Sequence, residues 1–151
     1  MKIINLVVKN IFDIFFGVFG LLALLPLFVL IAVLIKIDSK GPVLFIQARL
    51  GLKKRPYNIY KFRSMVVNAE NMKDGIFNVE NDSRVTKFGN FLRNTSLDEL
   101  PQFINIIKGD MSFVGPRPPV TYELGDLDKL TPEFEGRFTM KPGVTGLAQV
   151  N

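Results

Sequence analysis

An apolar run near the amino terminus limits how this chain can fold more than any other feature. From Ile14 to Ile35 the sequence reads IFFGVFGLLALLPLFVLIAVLI, without a charged residue. A helix of about 20 apolar residues is long enough to cross the hydrocarbon core of a bilayer. A signal peptide would have a shorter apolar region followed by a small-residue cleavage site, and the sequence shows neither. We therefore interpret the run as a retained membrane anchor.

Pro26 lies near the middle of this run and leaves two interpretations open. A proline inside a helix removes one backbone hydrogen bond and tends to kink the helix. The segment is then either a kinked helix that spans the bilayer or a re-entrant helix that breaks and leaves by the face it entered. Lysines flank both ends of the run, so the positive-inside rule places neither end outside: Lys2, Lys9, Lys36 and Lys40. This symmetry favours the re-entrant form, with residues 1–40 as the anchor.

The positive charge of the chain is unevenly placed. The formal net charge is +5 at pH 7. A series of cations follows the anchor, against the single acid Asp38: Lys36, Lys40, Arg49, Lys53, Lys54, Arg55, Lys61 and Arg63. Such a segment attracts polyanions or an anionic membrane surface, and its position after the apolar run favours the membrane. A nucleic-acid partner is not predicted, because no aromatic-basic recognition motif is present.

Two missing residue types narrow the possible chemistry. The sequence contains no cysteine and no histidine. Disulfides, thiolate nucleophiles, imidazole bases and the usual zinc ligands are therefore excluded. Catalysis would have to use carboxylates, hydroxyls, lysine, arginine or tyrosine. Oxygen ligands beside phosphate groups are typical of Mg²⁺ sites.

The segment after the anchor predicts a β-hairpin. Two β-prone runs, Val43 to Arg49 and Tyr57 to Arg63, flank a turn that contains Gly, Lys and Pro. Lys61 and Arg63 alternate with aromatic residues, which puts both cations on one side of the second strand. The alternative, purely structural interpretation is that these cations lie on a solvated edge strand, where charge prevents pairing with other chains.

A basic amphipathic helix is predicted further along the chain. From Arg84 onward, four apolar residues fall at helical spacing, with Lys87 and Arg93 off that face: Val85, Phe88, Phe91 and Leu92. A helix of this kind can lie on a membrane surface or on a protein core. The preceding residues 66–83 are polar and predict a short helix and a loop without an assigned function.

Two adjacent carboxylates, Asp98 and Glu99, occupy a position with two interpretations. Ser96 to Glu99 matches a capping box, with Ser96 as the N-cap and Glu99 reaching back toward it. The helix dipole also favours acidic residues in a first turn. The same position is also suited to a catalytic or metal-binding role. A helix N-terminus lowers the pKa of a carboxyl and keeps it ionised, as a nucleophile or an Mg²⁺ ligand requires. Taken locally, the capping interpretation is favoured.

Two arginines lie on either side of this carboxylate pair in the sequence. Arg93 precedes the pair, and Arg117 follows it between Pro116 and Pro118. The prolines limit backbone freedom and by themselves indicate a rigid turn. Fixed guanidinium groups are suited to bind phosphate oxygens, so an arginine held within such a turn favours a phosphate ligand.

Three motifs behind the proline-broken anchor resemble those of the bacterial sugar transferases. They are YKFRSM, SLDELPQFINIIKGDMSFVGPRP and KPGVTGLAQVN. The similarity runs from about Ile11 to Asn151 and is closest to the small monotopic polyprenyl-phosphate phosphoglycosyltransferases. It implies an α+β fold with a membrane-embedded re-entrant N-terminal helix, a short β-hairpin and amphipathic interfacial helices. These surround a small globular catalytic domain, residues 41–151, on the cytoplasmic face of the bacterial inner membrane.

The resemblance also implies an activity and a set of site residues. Members of the family transfer a sugar 1-phosphate from a UDP-sugar to undecaprenyl phosphate and release UMP. They work by a ping-pong mechanism through an aspartyl-phosphosugar intermediate and initiate glycan assembly. Asp98 matches the nucleophilic aspartate, and Asp98 with Glu99 matches the dyad that binds Mg²⁺. Residues matching expected phosphate ligands are Lys61, Arg93 and Arg117. The partners implied are a UDP-sugar, undecaprenyl phosphate and membrane lipids.

The sequence departs from the family pattern at three places. Leu25-Pro26 stands where the family has Ser-Pro, which removes a hydroxyl that would satisfy a freed carbonyl at the break. Leu147 stands where tryptophan is common. The sequence ends at Asn151, where the family usually continues to a further acidic position. Either the catalytic domain is shortened at its C-terminus, or the part that would follow belongs to the enzyme and lies beyond Asn151. The alternative function is therefore a catalytically inactive relative that acts as a membrane-bound interaction module.

Overall fold

Helices and short strands alternate along the chain. The computed structural model of the protein describes residues 2–69, 72, 82–120 and 130–146. The helices are α1 (Lys2–Ala23), α2 (Leu25–Asp38), α3 (Lys87–Asn94), α4 (Gln102–Lys108) and α5 (Pro132–Glu135). The strands are β1 (Leu44–Leu50), β2 (Pro56–Phe62), β3 (Ser112–Val114) and β4 (Gly143–Thr145). The predicted α+β class is confirmed. Most of the short helix and loop predicted at 66–83 lies outside the described residues.

The contacts within the chain divide it into two compact units. The first unit comprises Met1–Ala23, Ile46–Tyr60 and Pro101–Asn151. The second unit comprises Leu24–Phe45 and Lys61–Leu100. Each unit therefore contains one of the two N-terminal helices, and the division into an anchor at 1–40 and a catalytic domain at 41–151 stays a prediction.

The apolar run is divided between α1 and α2. α1 ends at Ala23, and α2 begins at Leu25 with Pro26 in its first turn. Leu24 has φ −92° and ψ 3°, values of the bridge region rather than of an α-helix. Proline is tolerated in a first turn, where its missing N–H has no partner to lose. The helix break predicted near Pro26 is present, whereas a re-entrant path through a membrane stays a prediction.

α1 carries a large exposed apolar surface. Its stretch Ile4–Ala23 is long and apolar enough to cross a membrane, by length and composition. The exposed apolar side chains are Ile4, Leu6, Val7, Val8, Ile11, Phe12, Ile14, Phe15, Phe16, Val18, Phe19 and Leu22. Soluble monomers rarely expose an apolar surface of this extent, so the surface indicates contact with lipid or with another protein.

One buried acid fixes α1 to the rest of the first unit. Asp13 is 6% exposed. Its carboxylate accepts a hydrogen bond from the Lys9 ammonium at 3.0 Å and from the Ser112 hydroxyl at 2.8 Å. The Phe113 N–H donates to the same carboxylate at 3.3 Å. An unpaired buried charge would be strongly destabilising, so these donors are what allows Asp13 to lie between α1 and β3.

The core of the first unit lies between α1, α4 and the strands. Ile59, Ile106 and Met111 are buried at its centre. A Cβ added to Gly17 of α1 would lie 3.3 Å from the Ile106 side chain, so a small residue there lets α1 and α4 approach closely. Strands β3 and β4 pair in parallel at one side of this core.

The core of the second unit joins α2 to β2 and α3. Its buried members are Ile31, Ile35, Phe62 and Leu92. Arg63, which is 5% exposed, donates from Nη2 to the Ser39 carbonyl at 2.7 Å and to the Ser39 hydroxyl at 2.8 Å. A cation at a helix C-terminus is stabilised by the helix dipole and by the free carbonyls there. Arg63, the residue directly after β2, therefore holds the C-terminal end of α2 against that strand.

The predicted β-hairpin is confirmed to within one residue at the strand ends. β1 and β2 form a two-stranded sheet. Gly51 N–H donates to the Arg55 carbonyl, and Arg63 N–H donates to the Val43 carbonyl, as antiparallel strands require. The interpretation of Lys61 and Arg63 as charges on a solvated edge strand is wrong, because Arg63 is buried and Lys61 is in an ion pair.

The predicted amphipathic helix is present as α3, although it begins later than the pattern indicates. Thr86 is its N-cap and accepts a hydrogen bond from Gly89 N–H at 2.9 Å. Val85 lies before the helix and forms an isolated bridge with Met65. Leu92 is fully buried, whereas Phe91 is 52% exposed, so only part of the predicted apolar face packs on the core.

Candidate active site

Asp98 and Glu99 lie in a 3-10 turn, Leu97–Glu99, that follows α3. Side chains three residues apart eclipse one another in a 3-10 helix. Leu97 and Leu100 have this spacing, and both pack against the core of the second unit. Asp98 and Glu99 occupy the two positions between these leucines.

The predicted capping box is wrong. Ser96 has φ 56° and ψ 15°, in the left-handed region, and its side chain makes no capping hydrogen bond. α4 begins only at Gln102, so the carboxylates are not in its first turn. A left-handed conformation costs a residue other than glycine about 1–2 kcal/mol, and such conformations are concentrated at functional sites. Helix capping therefore does not explain this carboxylate pair.

Glu99 is bound by Lys61 instead of by the backbone. The Lys61 ammonium lies 2.6 Å from Glu99 Oε1, with the two side chains 19% and 25% exposed. Lys61 projects from β2, so the contact joins the strand to the 3-10 turn. Partial burial strengthens such a pair relative to one on the open surface.

Arg93 lies in the last turn of α3 and is the fourth predicted site residue in this unit, with Lys61, Asp98 and Glu99. Its Nε donates to the Ser64 hydroxyl at 3.0 Å. The positive charges of Lys61 and Arg93 both act to lower the pKa of the Asp98 carboxyl. The second unit thus brings together four of the predicted site residues: Lys61, Arg93, Asp98 and Glu99. Sequence reasoning assigned no role to Ser64, although it lies in the YKFRSM motif, because its partner Arg93 is 29 positions away in the sequence.

Burial raises the pKa of the Asp98 carboxyl above its ordinary value. Asp98 is 8% exposed. The Lys61 charge lowers this pKa, the Glu99 charge raises it, and the Arg93 charge lowers it, but burial is the largest effect. The expectation that a helix N-terminus lowers the pKa is wrong, because the Asp98 side chain is buried and lies in a short 3-10 turn ahead of α4. Its ionised form is therefore less stable here than in water.

The raised pKa predicts how the stability of an Asp98→Asn variant depends on pH. The unfolded carboxyl titrates near 3.8. Because folding raises the pKa, the parent loses stability relative to the variant as the pH rises from 3.8 through the raised pKa. Below and above that window the difference is constant. Thermal unfolding of both detergent-solubilised proteins over a pH series in EDTA measures it, and a difference that does not change with pH would contradict this effect of burial.

Arg117 belongs to the first unit, and its side chain is exposed. No carboxylate among the described residues forms a salt bridge with it. The Pro116 carbonyl accepts from Gly143 N–H at 3.0 Å, so the backbone before Arg117 is held by β4. The participation of Arg117 with the carboxylate pair stays a prediction.

Asp98 and Glu99 have the donor set that Mg²⁺ uses. Mg²⁺ is usually held by one or two carboxylates and completes its coordination with water and substrate phosphates. In the part of the chain that the structure describes, no group of three or more His, Cys, Asp or Glu side chains is placed to hold a metal. Asp98 and Glu99 provide carboxylate oxygens of the kind that such a site uses, and Mg²⁺ binding at this pair stays a prediction.

Comparison with known proteins agrees with the sequence motifs. A family model described as bacterial sugar transferase matches residues 4–151. A Klebsiella pneumoniae protein named UDP-glucose:undecaprenyl-phosphate glucose-1-phosphate transferase is 47% identical over 148 residues, which cover 98% of this chain and 32% of that protein. An Aeromonas hydrophila protein named UDP-N-acetylgalactosamine-undecaprenyl-phosphate N-acetylgalactosaminephosphotransferase is 43% identical over 143 residues, which cover 95% and 34%.

A third relative is nearer in length. The Exopolysaccharide production protein PSS of Rhizobium leguminosarum bv. phaseoli is 44% identical over 149 residues, which cover 97% of this chain and 74% of that protein. The chain spans about a third of the length of the Klebsiella and Aeromonas relatives. The resemblance seen in the motifs is confirmed, and the chain belongs to the bacterial sugar transferase family.

Proposed function

We propose that this protein transfers a sugar 1-phosphate from a UDP-sugar to undecaprenyl phosphate and releases UMP. The observation that carries the proposal is the buried Asp98 carboxylate, which lies under the influence of the Lys61 and Arg93 charges. The names of the Klebsiella and Aeromonas relatives support the same reaction. The name of the Rhizobium relative supports a place in exopolysaccharide production.

In the first step, an oxygen of the Asp98 carboxylate attacks the sugar-bearing phosphorus. A bond forms between these two atoms, the bond from that phosphorus to the bridging oxygen breaks, and UMP leaves with the bridging oxygen. The reaction removes the negative charge from a buried carboxylate whose ionised form burial destabilises. The phosphoryl group of the aspartyl-phosphosugar keeps one negative charge next to this oxygen, so positive charge beside Asp98 is needed before and after the step.

The main energetic problem of this step is charge, since a carboxylate approaches an anionic diphosphate. Lys61 and Arg93 supply positive charge beside Asp98. Each cation is held in place, Lys61 by Glu99 and Arg93 by the Ser64 hydroxyl. We propose that both bind phosphate oxygens of the substrate and that Arg117 is a further phosphate ligand. When bound at Asp98 and Glu99, Mg²⁺ would add to this neutralisation.

In the second step, an oxygen of undecaprenyl phosphate attacks the same phosphorus. The bond between that phosphorus and the Asp98 oxygen breaks, which restores the carboxylate and leaves a sugar diphosphate on the lipid. Both nucleophiles are anions, so neither step requires a general base. A sequence without histidine is compatible with this ping-pong mechanism.

The lipid substrate places the reaction at a membrane surface. The exposed apolar side chains of α1 support its insertion, and α2 exposes a similar set: Leu25, Val29, Leu30, Val33 and Ile37. Lys36 and Lys40, at the end of α2, are exposed and suited to anionic headgroups. We propose a monotopic, re-entrant anchor in the bacterial inner membrane, with the catalytic residues on the cytoplasmic face.

The proposed function is tested by UMP release from a panel of UDP-sugars. The protein in vesicles or detergent is incubated with Mg²⁺ and UDP-glucose, UDP-N-acetylgalactosamine or another UDP-sugar, with and without undecaprenyl phosphate. We expect many turnovers of UMP with the lipid and at most one UMP per protein without it, because the covalent intermediate then has no acceptor. An absence of UMP with every sugar in the presence of lipid would contradict the proposed function and favour the alternative of a non-catalytic interaction module.

A further inference from the structure

The segment around Arg117 has few backbone donors of its own. Pro116, Pro118 and Pro119 surround it, and proline has no backbone N–H. Buried backbone carbonyls in such a segment must accept hydrogen bonds from other elements. How firmly Arg117 is held therefore depends on donors from outside the segment.

β4 supplies the donors where the segment begins. β3 and β4 pair in parallel, with Val114 opposite Thr145. The Gly115 N–H donates to the Thr145 carbonyl at 3.0 Å, and the Gly143 N–H donates to the Pro116 carbonyl at 3.0 Å. The backbone is therefore fixed as far as residue 116.

β1 supplies the donors where the segment ends. The Leu50 N–H donates to the Pro119 carbonyl at 3.2 Å. Arg49 and Val120 form an isolated antiparallel bridge. The carbonyl of the buried Pro118 accepts from Arg49 Nη1 at 3.1 Å. A side chain, rather than a strand, thus provides the donor in the middle of the segment.

Arg49 is well suited to hold this carbonyl in place. Its Nη2 donates to Gln47 Oε1 at 2.6 Å, and its Nε is buried. A guanidinium is planar and reaches two acceptors in a fixed geometry, whereas a lysine ammonium is a point charge on a flexible chain. The Gln47 contact therefore orients the group that binds the Pro118 carbonyl.

We infer that Arg49 is a positioning residue for Arg117, acting through the Pro118 carbonyl. Arg117 is exposed and lies one residue before the carbonyl that Arg49 binds. The inference rests on the proposed function, in which the Arg117 guanidinium binds the diphosphate of a UDP-sugar. Arg49 donates to the Pro118 carbonyl and to Gln47 Oε1, so we infer that its effect on the substrate passes through the backbone that carries Arg117.

A double-mutant cycle tests this inference. The KM for the UDP-sugar and the kcat of lipid-dependent UMP release are measured for Arg49→Met, Arg117→Met and the double variant. We expect Arg49→Met to raise KM about tenfold with a smaller change in kcat, as loss of ground-state binding does. It should have no further effect when residue 117 is already methionine, because residues that act through one another are not additive. Effects that multiply independently would overturn the inference.

Two further variants control for folding and for charge. Arg49→Lys keeps the charge but loses the planar fork, so we expect a KM between those of the parent and Arg49→Met. Arg55→Met makes the same change at an exposed arginine of the same hairpin, and we expect the KM of the parent. An equal increase in KM for Arg55→Met would indicate a general effect of charge and contradict a role specific to Arg49.

Hydrogen exchange separates failure of this inference from failure of the proposed function. We expect Arg49→Met to speed amide exchange in the peptide 112–120 and to leave α3 at the rate of the parent. Unchanged exchange over 112–120 overturns the inference whatever the activity of the parent. Faster exchange in a protein whose parent releases no UMP supports the Arg49 contact and refutes the proposed function alone.

Discussion

Asp98→Asn is expected to abolish sugar-phosphate transfer, with UMP release reduced by roughly 10³-fold or more, as when a covalent nucleophile is removed. An amide has nearly the shape of the carboxylate but does not attack phosphorus. Asp98 is only 8% exposed, so water has little access to replace its carboxylate as the nucleophile. Lipid-dependent UMP release from a UDP-sugar measures the loss.

The covalent intermediate gives this prediction a second readout. Without undecaprenyl phosphate, the parent should carry a sugar phosphate on the peptide that contains Asp98, and mass spectrometry should find none on Asp98→Asn. Glu135→Gln is the matched control, because Glu135 is exposed and pairs only with Lys54 among the described residues. UMP release by Asp98→Asn at the rate of the parent, or an adduct on another residue, would show that Asp98 is not the nucleophile.

Gly89→Ala is expected to destabilise the protein by roughly 3 kcal/mol, at the upper end of what overpacking costs. A Cβ on Gly89 would overlap the backbone carbonyl of Ser64, which accepts a hydrogen bond from Thr86 N–H at 3.1 Å. Backbone cannot move aside as a flexible side chain can, so α3 would shift from Ser64 and loosen the Arg93 contact. The thermal unfolding midpoint, followed by circular dichroism in detergent, should fall by about 10 °C.

The sign of this effect distinguishes crowding from helix propensity. At an open helical position, alanine is more favourable than glycine by about 1 kcal/mol. Gly136→Ala is the matched control, since nothing lies within 4 Å of a Cβ there and its φ of −52° suits alanine. We expect its midpoint to equal or slightly exceed that of the parent. A midpoint for Gly89→Ala at or above that of the parent would refute the close packing of α3 on Ser64.

Elements defined by neighbouring residues were predicted well from the sequence. The strand ends of the hairpin differ by one residue from the β-prone runs, and the helix break lies two residues before Pro26. Alternation along a strand and the missing N–H of proline are local properties, so they act wherever the chain folds. The same logic failed for α3 at Val85, where pairing with Met65 draws the residue out of the helix.

The capping box shows how tertiary contacts override a local motif. Ser96 and Glu99 have the right spacing, but the capping bonds form only if a helix begins there. Leu97 and Leu100, both partly buried, instead pack against the core of the second unit beside a 3-10 turn, and Lys61 binds the glutamate that was expected to cap. The motifs were sufficient to select Lys61, Asp98 and Glu99 as candidates. They did not predict that Lys61 would pair with Glu99.

Partners distant in sequence were beyond any local pattern. Asp13 binds Ser112 across 99 positions of the chain, and Arg49 binds Pro118 across 69. A lone acid in an apolar helix with Lys9 four residues earlier indicates a polar contact, but not which strand provides it. Such contacts are decided by which surfaces the fold brings together.

The sequence by itself determined that the chain carries an apolar run interrupted by a proline and a set of motifs, free of histidine, that identify the family. These features depend on residue types and on their order alone. Only the tertiary structure decided that Asp98 is buried with a raised pKa and that Lys61 holds Glu99. The physical reason is that desolvation and charge pairing depend on distances between atoms, and folding sets those distances between residues far apart in the chain.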